Sequence, residues 1–156
     1  MISHTGRYGL RILGFLAGHP GQWVQGTQIA EATGIPANYL SKILNQLRKR
    51  GLVLSQKGWG GGFMLPEEAA HRPILSVLDA LEGPRAEGEC LFGLARCDAS
   101  NPCPLHGYWE KIQETYEAML QAVTISDLAG ARPAAAKRVG RPASVPKAGP
   151  RRGGSR

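Results

Sequence analysis

Three cysteines and one histidine lie close together in the sequence, between residues 90 and 106, a segment that we call the cysteine loop. They are Cys90, Cys97, Cys103 and His106. Thiolate sulfur and imidazole nitrogen are ligands that zinc and iron–sulfur clusters accept in proteins. Because three cysteines cannot all pair as disulfides, ligation of a metal or a cluster is one explanation for this grouping.

Four chemistries suit these residues. The cysteines could be inert small apolar side chains, or thiols that sense oxidants without a metal. With His106 they could hold zinc in a tetrahedron, although the spacing is loose for a zinc finger. They could also hold an iron–sulfur cluster, in which imidazole is tolerated on one iron. Residues 91–102 offer little apolar surface for a core, so we expect the order of this loop to depend on what it binds.

The net charge of +7 is distributed unevenly along the chain. Residues 1–80 hold 8 Lys/Arg and 4 Asp/Glu, residues 81–129 hold 3 and 8, and residues 130–156 hold 8 and none. A basic front section beside an acidic middle section favours a polyanion as the partner of the front section. An ordinary solvated basic surface would have the same composition.

Helical spacing of apolar residues predicts two short elements before residue 35. The first is a helix over 5–17 that is capped by Thr5, and the second is a helix over 27–33 that is capped by Thr27 and ended by Gly34. Pro36 then opens a third helix, where its missing N–H costs nothing. The second and third helices with their tight turn predict a helix-turn-helix, with a plain helical hairpin as the alternative.

The third helix has one apolar and one polar face. Its apolar stripe consists of Leu40, Ile43, Leu44 and Leu47. The opposite face carries Asn38, Ser41, Lys42, Asn45 and Lys49. We expect Asn38, Ser41, Lys42 and Lys49 from this face to meet DNA.

A β-hairpin is predicted directly after the helix-turn-helix. The apolar residues 52–55 and 63–65 are predicted to be its two strands, and the glycine-rich residues 56–62 suit a hairpin tip. A hairpin in this place is a wing. Lys57 could follow a phosphate backbone or enter a minor groove, and Trp59 could stack or wedge there, or simply cover the edge of the domain.

The remaining apolar pattern predicts a helix over 74–81 and a long helix from about 104 to 123. The long helix would measure about 30 Å, more than one small domain needs to cover itself, so we expect it to pair with the same helix of a second subunit. Residues from 130 onward have almost no large apolar side chain and predict a disordered basic tail. The expected division is a winged helix-turn-helix over 1–82, the cysteine loop with a dimerisation helix over 83–129, and the tail over 130–156.

The fold class is therefore mainly α with a small β-hairpin. No run approaching 18 apolar residues and no signal-peptide pattern is visible, so we expect a cytoplasmic protein without a membrane partner. No glycine fingerprint opens a helix, and no Cys-x-x-Cys pair is present. We therefore expect neither an enzyme nor a small-molecule substrate.

Several stretches resemble the Rrf-two family of bacterial winged-helix regulators. They are "GRYGLRIL" at 6–13, "IAEATGIPANYLSKILNQLRKRGLVLSQKGWGGGFML" at 29–65, and "CPLHGYWEKI" and "TISDL" within 103–128. The resemblance implies a homodimer that binds palindromic operators in double-stranded DNA. It places Asn38, Tyr39 and Lys42 on the recognition helix and Lys57 on the wing.

The resemblance also implies an iron–sulfur cluster, [2Fe–2S] ahead of [4Fe–4S], with Cys90, Cys97, Cys103 and His106 as ligands. The two gaps between the cysteines are six and five residues long, whereas the family's iron–sulfur assembly regulator has equal gaps. Arg7 stands where the family's nitric oxide sensor has a ligating aspartate, which favours His106 as the fourth ligand. The implied function is a transcriptional regulator whose operator binding depends on the cluster. A cluster-free thiol regulator or a zinc-containing regulator of the same fold is the alternative.

Overall fold

Apolar side chains at helical spacing gather the elements of this chain around a core. The computed structural model describes residues 2–83, 90–91, 93 and 98–130. The elements are α1 (His4–Ala17), α2 (Gly26–Thr33), α3 (Ala37–Lys49), β1 (Leu54–Gln56), β2 (Gly62–Met64), α4 (Glu67–Ala70), α5 (Ile74–Glu82), α6 (His106–Ala122) and a 3₁₀ turn (Ser126–Leu128). The mainly helical fold with one antiparallel hairpin agrees with the prediction.

The core lies between α1, α2, α3 and α5. Ile12 and Leu13 of α1 are 0% exposed, and Ile29 of α2 is also 0% exposed. The predicted stripe of α3 is buried along its whole length. Burial of each such side chain stabilises the fold by roughly 1.5–3 kcal/mol, which fixes α3 with its polar face toward solvent.

The first two helices begin slightly earlier than the sequence predicts. Ser3, not Thr5, caps α1, and its hydroxyl oxygen accepts a hydrogen bond from the Gly6 N–H at 3.1 Å. Gln25, not Thr27, is the N-cap of α2, whose first residue is Gly26. Gly34 ends α2 as predicted, with its N–H donating to the Ala30 carbonyl at 2.8 Å.

The wing (Leu54–Met64) pairs β1 with β2 in antiparallel register, with Leu54 opposite Met64. The strands do not begin and end where the sequence predicts, because Leu52 and Val53 are 1% exposed core residues that precede β1. An isolated bridge adds Val24 to the outer side of β2, opposite Phe63. The backbone atoms of this pair exchange hydrogen bonds of 2.9 and 2.8 Å.

The long helix starts later than predicted. α6 begins at His106 and its N-cap is Leu105, whereas the sequence predicts a start at about residue 104. The His106 N–H donates to the Cys103 carbonyl at 3.0 Å, so a separate turn precedes the helix. The 17 residues of α6 span about 25 Å.

The segment after α6 turns back toward the core. Ile125 is 0% exposed, and its N–H donates to the Arg72 carbonyl at 3.0 Å. The Ile74 N–H donates to the Val123 carbonyl at 2.9 Å on the other side of a bridge between Pro73 and Thr124. The carboxyl end of α6 is thereby fastened to the start of α5.

Two predictions fall on residues that lie outside those the structure describes, namely the position of Cys97 and the disordered state of the tail beyond residue 130. In the part of the chain that the structure describes, no helix is long and apolar enough to cross a membrane.

Candidate functional site

The polar face of α3 is exposed as the sequence predicts. Five predicted DNA-contacting residues of this helix are accessible to solvent, and they are Asn38, Tyr39, Ser41, Lys42 and Lys49. The Ser41 hydroxyl donates to the Ala37 carbonyl at 3.0 Å, so its oxygen keeps acceptor capacity toward solvent. Amide, hydroxyl and ammonium groups on one helix face can read base edges in a major groove.

Tyr39 makes an aromatic contact with a residue of α1. Its ring meets the ring of Tyr8 on α1 edge to face, with the centroids 6.4 Å apart, and Tyr8 meets His4 at the same distance. Such contacts restrict the rotation of a ring. Tyr39 remains 55% exposed, so its ring is oriented by α1 and is still accessible to a partner.

The wing projects beside α3. Lys57 is exposed, and Trp59 at the tip has its whole side chain in solvent. The tip is closed by a hydrogen bond of 3.0 Å from the Gly61 N–H to the Gly58 carbonyl. A cation and an aromatic ring are thus both exposed on the hairpin.

A groove of about 640 Å³ separates α3 from the wing, and we call it the α3–wing groove. It brings together two predicted residues, Ser41 and Lys57, from different elements. Asn38, Tyr39, Lys42, Lys49 and Trp59 are not among the residues that line it. Its polar lining also includes Gln25, Thr27, Asn45 and Arg48.

The cysteine loop is described in part. Cys90 is buried at 8% exposure, and Cys103 and His106 are half-buried. The Gly93 N–H donates to the Cys90 carbonyl at 3.0 Å, which gives a second turn on this segment. Cys97 lies outside the described residues, so the structure does not bring the predicted ligands together as a set.

Asp98 lies in a turn next to these residues. The hydroxyl and the backbone N–H of Ser100 donate to its carboxylate at 2.6 and 2.8 Å. These two bonds are the main cause that lowers the pKa of Asp98 below its ordinary value, and a hydrogen bond from the Asn101 N–H adds to it. The carboxylate thereby fixes the turn at Ser100.

No cluster of three or more histidine, cysteine or acidic side chains suited to a metal occurs within residues 2–83, 90–91, 93 and 98–130. The donor chemistry of the predicted set still suits an iron–sulfur group, because Cys90, Cys103 and His106 present sulfur and imidazole at partly shielded positions.

The family comparison decides the class of this protein. The model of the Rrf2 (Rrf-two) family, described as "Iron-dependent Transcriptional regulator", matches residues 2–131. The chain belongs to the Rrf2 family. The predicted resemblance is thereby confirmed.

Individual relatives of this Rrf2 chain agree. An HTH-type transcriptional regulator of Aquifex aeolicus is 33% identical over 130 residues, which are 82% of this chain and 90% of that protein. The HTH-type transcriptional regulator IscR of Yersinia pseudotuberculosis is 30% identical over 81% of this chain and 77% of its own length. The solved structure of CymR, the global cysteine regulator of B. subtilis, is similar with a TM-score of 0.69 and 30% identity, over 83% of this chain and 95% of that chain.

The winged-helix fold agrees with the fold that the sequence predicts. The family consists of transcriptional regulators and not of enzymes, which also agrees with the prediction. Asn45 and Arg48 also line the α3–wing groove, although neither residue is predicted from the sequence to contact DNA. Both continue the face of Ser41 at helical spacing, and the Arg48 guanidinium donates to the side-chain oxygen Oδ1 of Asn45 at 3.0 Å. That spacing was visible in the sequence, whereas the part played by Gln25 and Thr27 depends on tertiary packing.

Proposed function

We propose that this Rrf2 regulator binds palindromic operators in double-stranded DNA as a homodimer, and that the cysteine loop controls this binding. The observation that carries the DNA part is the α3–wing groove, whose lining includes Ser41 of the recognition helix and Lys57 of the wing. A helix that reads base edges and a hairpin that follows the backbone make the contacts of a winged helix-turn-helix.

The roles differ between the two elements. Asn38, Tyr39 and Lys42 occupy the first turns of α3, where side chains of a recognition helix reach base edges. Lys57 and Trp59 stand on the wing, where contacts to phosphate and sugar add affinity without reading sequence. Lys49, at the last turn of α3, is assigned to the backbone of DNA.

The homodimer is proposed from the exposed side of α6. Four apolar residues on that side are exposed, and they are Leu105, Tyr108, Ile112 and Met119. Tyr108 and Ile112 are 76% and 55% exposed, which is costly for a helix that stays alone in water. Two copies that pair through α6 would cover these exposed residues on each copy and would present two recognition helices to two half-sites.

Sedimentation tests the pairing. The chain is expected to be a dimer at micromolar concentration, and Ile112→Glu is expected to shift it to monomer. Glu117→Ala, on a polar position of the same helix, serves as the control and is expected to remain dimeric. A wild-type monomer at all concentrations would contradict the homodimer.

The binding of DNA is tested by anisotropy with a labelled duplex taken from upstream of the protein's own gene. Affinity is expected to fall steeply with salt, because basic residues displace counterions from phosphates. Lys57→Ala is expected to lower the slope of log affinity against log salt by about 1. Lys111→Ala, on α6 away from the groove, is expected to leave the slope unchanged. Affinity that does not depend on salt would contradict the proposal.

We propose an iron–sulfur cluster, [2Fe–2S] ahead of [4Fe–4S], with Cys90, Cys97, Cys103 and His106 as its ligands. Three thiols and one imidazole suit a cluster whose second iron accepts nitrogen. The family model's description as iron-dependent supports the same assignment. When bound, the cluster supplies a link that iron shortage, nitric oxide or oxidants can break. Ligation by the four residues then orders the cysteine loop, which leads into α6.

Anaerobic isolation tests the cluster. Iron and inorganic sulfide in equal amounts, with a coloured absorption spectrum, are the expected result. Replacement of the three cysteines by serine is expected to remove both elements and to make operator binding insensitive to nitric oxide. Colourless, iron-free protein after anaerobic reconstitution would contradict the cluster.

A cluster-free regulator is the second candidate. The similar structure of CymR is that of the global cysteine regulator of B. subtilis, whose description does not mention iron, and this is why a regulator of the same fold without a cluster stays a candidate. In that case isolated protein holds no metal, and mild oxidant reversibly removes titratable thiols. One zinc per chain without sulfide would instead indicate a zinc site with the same four ligands.

A further inference from the structure

The side chain of Gln25 joins the helix-turn-helix to the wing. Gln25 is the N-cap of α2, and its amide nitrogen Nε2 donates to the Gly61 carbonyl on the wing at 2.9 Å. Its backbone N–H donates to Oε1 of Gln28 at 3.0 Å, and the two glutamines form a reciprocal capping box. One residue therefore starts α2 and contacts the hairpin at the same time.

Gly61 is the point where this contact acts on the tip of the wing. Its N–H closes the turn from Gly58 that carries Trp59, and its carbonyl accepts the hydrogen bond from Gln25. Gly61 is buried, and a Cβ atom there would collide with the carbonyl of Gln56. Gly61 has no side chain that could fix its own position. The side chain that contacts its carbonyl is that of Gln25, at the start of α2.

The other attachment of the wing is nearer its base. The bridge between Val24 and Phe63 fixes β2, but it leaves the turn at Gly58 to Gly61 without a restraint from that pair. Gln25 follows Val24 in the chain. Its contact with Gly61 lies two residues closer to the tip than the bridge at Phe63. It also lines the α3–wing groove together with Lys57.

We infer that Gln25 is a positioning residue that sets the angle of the wing tip relative to α3, through its hydrogen bond to Gly61. This inference rests on the proposed binding of DNA through the wing. Loss of the bond would leave α2 and α3 in place and would let Lys57 and Trp59 spread over more orientations. DNA binding would then cost more entropy, because the tip would have to be ordered on binding.

Two variants separate this role from helix capping. Gln25→Ser keeps a favoured N-cap residue but is too short to reach Gly61. Gln28→Ala breaks the capping box and leaves the bond from Gln25 to Gly61 intact. Both are compared with wild type in the full chain, with thermal melting as the check that each variant folds.

The first measurement is ¹⁵N relaxation of the Gly58 and Gly60 amides in the free protein, which reports motion on the nanosecond timescale. Their order parameters are expected to fall in Gln25→Ser and to stay at the wild-type level in Gln28→Ala. Unchanged order parameters in Gln25→Ser would overturn the inference. This measurement needs no DNA, so it decides even if the chain binds none.

The second measurement is affinity for the operator duplex at fixed salt. Gln25→Ser is expected to bind about fivefold more weakly, the equivalent of one ordinary hydrogen bond, and Gln28→Ala is expected to bind like wild type. In a Lys57→Ala background, Gln25→Ser is expected to cost less than about twofold, because the residue acts through the wing.

An equal loss in both backgrounds would overturn the inference, and so would a Lys57→Ala variant that binds as tightly as wild type. Lower order parameters with unchanged affinity would also overturn it. If wild type binds no DNA, the proposed function fails, whereas a failed positioning role leaves wild-type binding intact.

Discussion

Ser3 donates two hydrogen bonds to one carboxylate oxygen of Glu82, from its backbone N–H at 3.0 Å and from its hydroxyl at 2.5 Å. The same hydroxyl caps α1 by accepting from Gly6. Because Glu82 is the last residue of α5, this contact joins the start of α1 to the point where the chain leaves for the cysteine loop. The contact adds a polar link to the packing of α1 against α5.

Ser3→Ala is expected to lower the free energy of unfolding by about 1 kcal/mol, because it removes the cap of α1 together with one bond to Glu82. Glu82→Ala is expected to cost a similar amount, and the double variant less than the sum, since the two residues share the contact. Denaturant unfolding measures all three. Glu31→Ala, at an exposed position of α2, is the control, and strictly additive losses would argue against coupling.

Leu47→Ala is expected to cost about 2–5 kcal/mol, because the side chain is 0% exposed and its removal leaves a cavity in the core. Leu54→Ala makes the same chemical change on β1, where the side chain is 43% exposed, and is expected to cost less than about 1 kcal/mol. Urea unfolding compares the two. Equal losses would show that the stripe of α3 is not the centre of the core.

The sequence predicted the elements whose pattern is local. The stripe of α3 and the helix that ends before Gly83 are present, because helical periodicity and a terminating glycine act over a few residues. The strands were displaced because Leu52 and Val53 look like strand residues but are core residues that precede β1. A continuous apolar run does not distinguish these two uses.

Contacts between segments that are distant in the sequence could not be predicted from the local apolar pattern. Val24 pairs with Phe63, and Gln25 reaches Gly61, only because the chain folds the wing back on α2. The burial of Ile125 likewise depends on the bridge between Pro73 and Thr124. For the candidate site, the exposed residues of α3 followed from periodicity, whereas the groove and its lining by Gln25 required the tertiary structure.

Gly62→Ala is expected to destabilise the protein by more than about 1 kcal/mol. Gly62 has a φ of 146°, and a Cβ atom there would collide with the carbonyl of Val24, which cannot move without loss of the bridge to Phe63. Gly107→Ala is the matched control, because a Cβ there meets nothing within 4 Å inside α6. It is expected to stabilise the helix by up to about 1 kcal/mol. Unfolding curves that shift in the same direction for both would contradict the model of the wing.

Asp127 gives the fold a dependence on pH. The hydroxyl and the backbone N–H of Thr124 donate to its Oδ2 at 2.7 and 2.8 Å, and these bonds lower the pKa of Asp127 below its ordinary value. A carboxyl group whose pKa is lower in the folded state stabilises the fold above its unfolded pKa of about 3.9. That stabilisation is lost as the pH falls through the folded value.

The melting temperature of wild type is therefore expected to exceed that of Asp127→Ala at pH 7, and the difference is expected to shrink as the pH falls below about 4. Ser126→Ala is the control. It removes a hydroxyl 2.8 Å from that of Thr124 in the same turn but no titrating group, so its effect is expected to be independent of pH. Thermal melts between pH 2 and pH 7 measure both differences. A difference for Asp127→Ala that stayed constant or grew in acid would show that the carboxylate does not hold this turn.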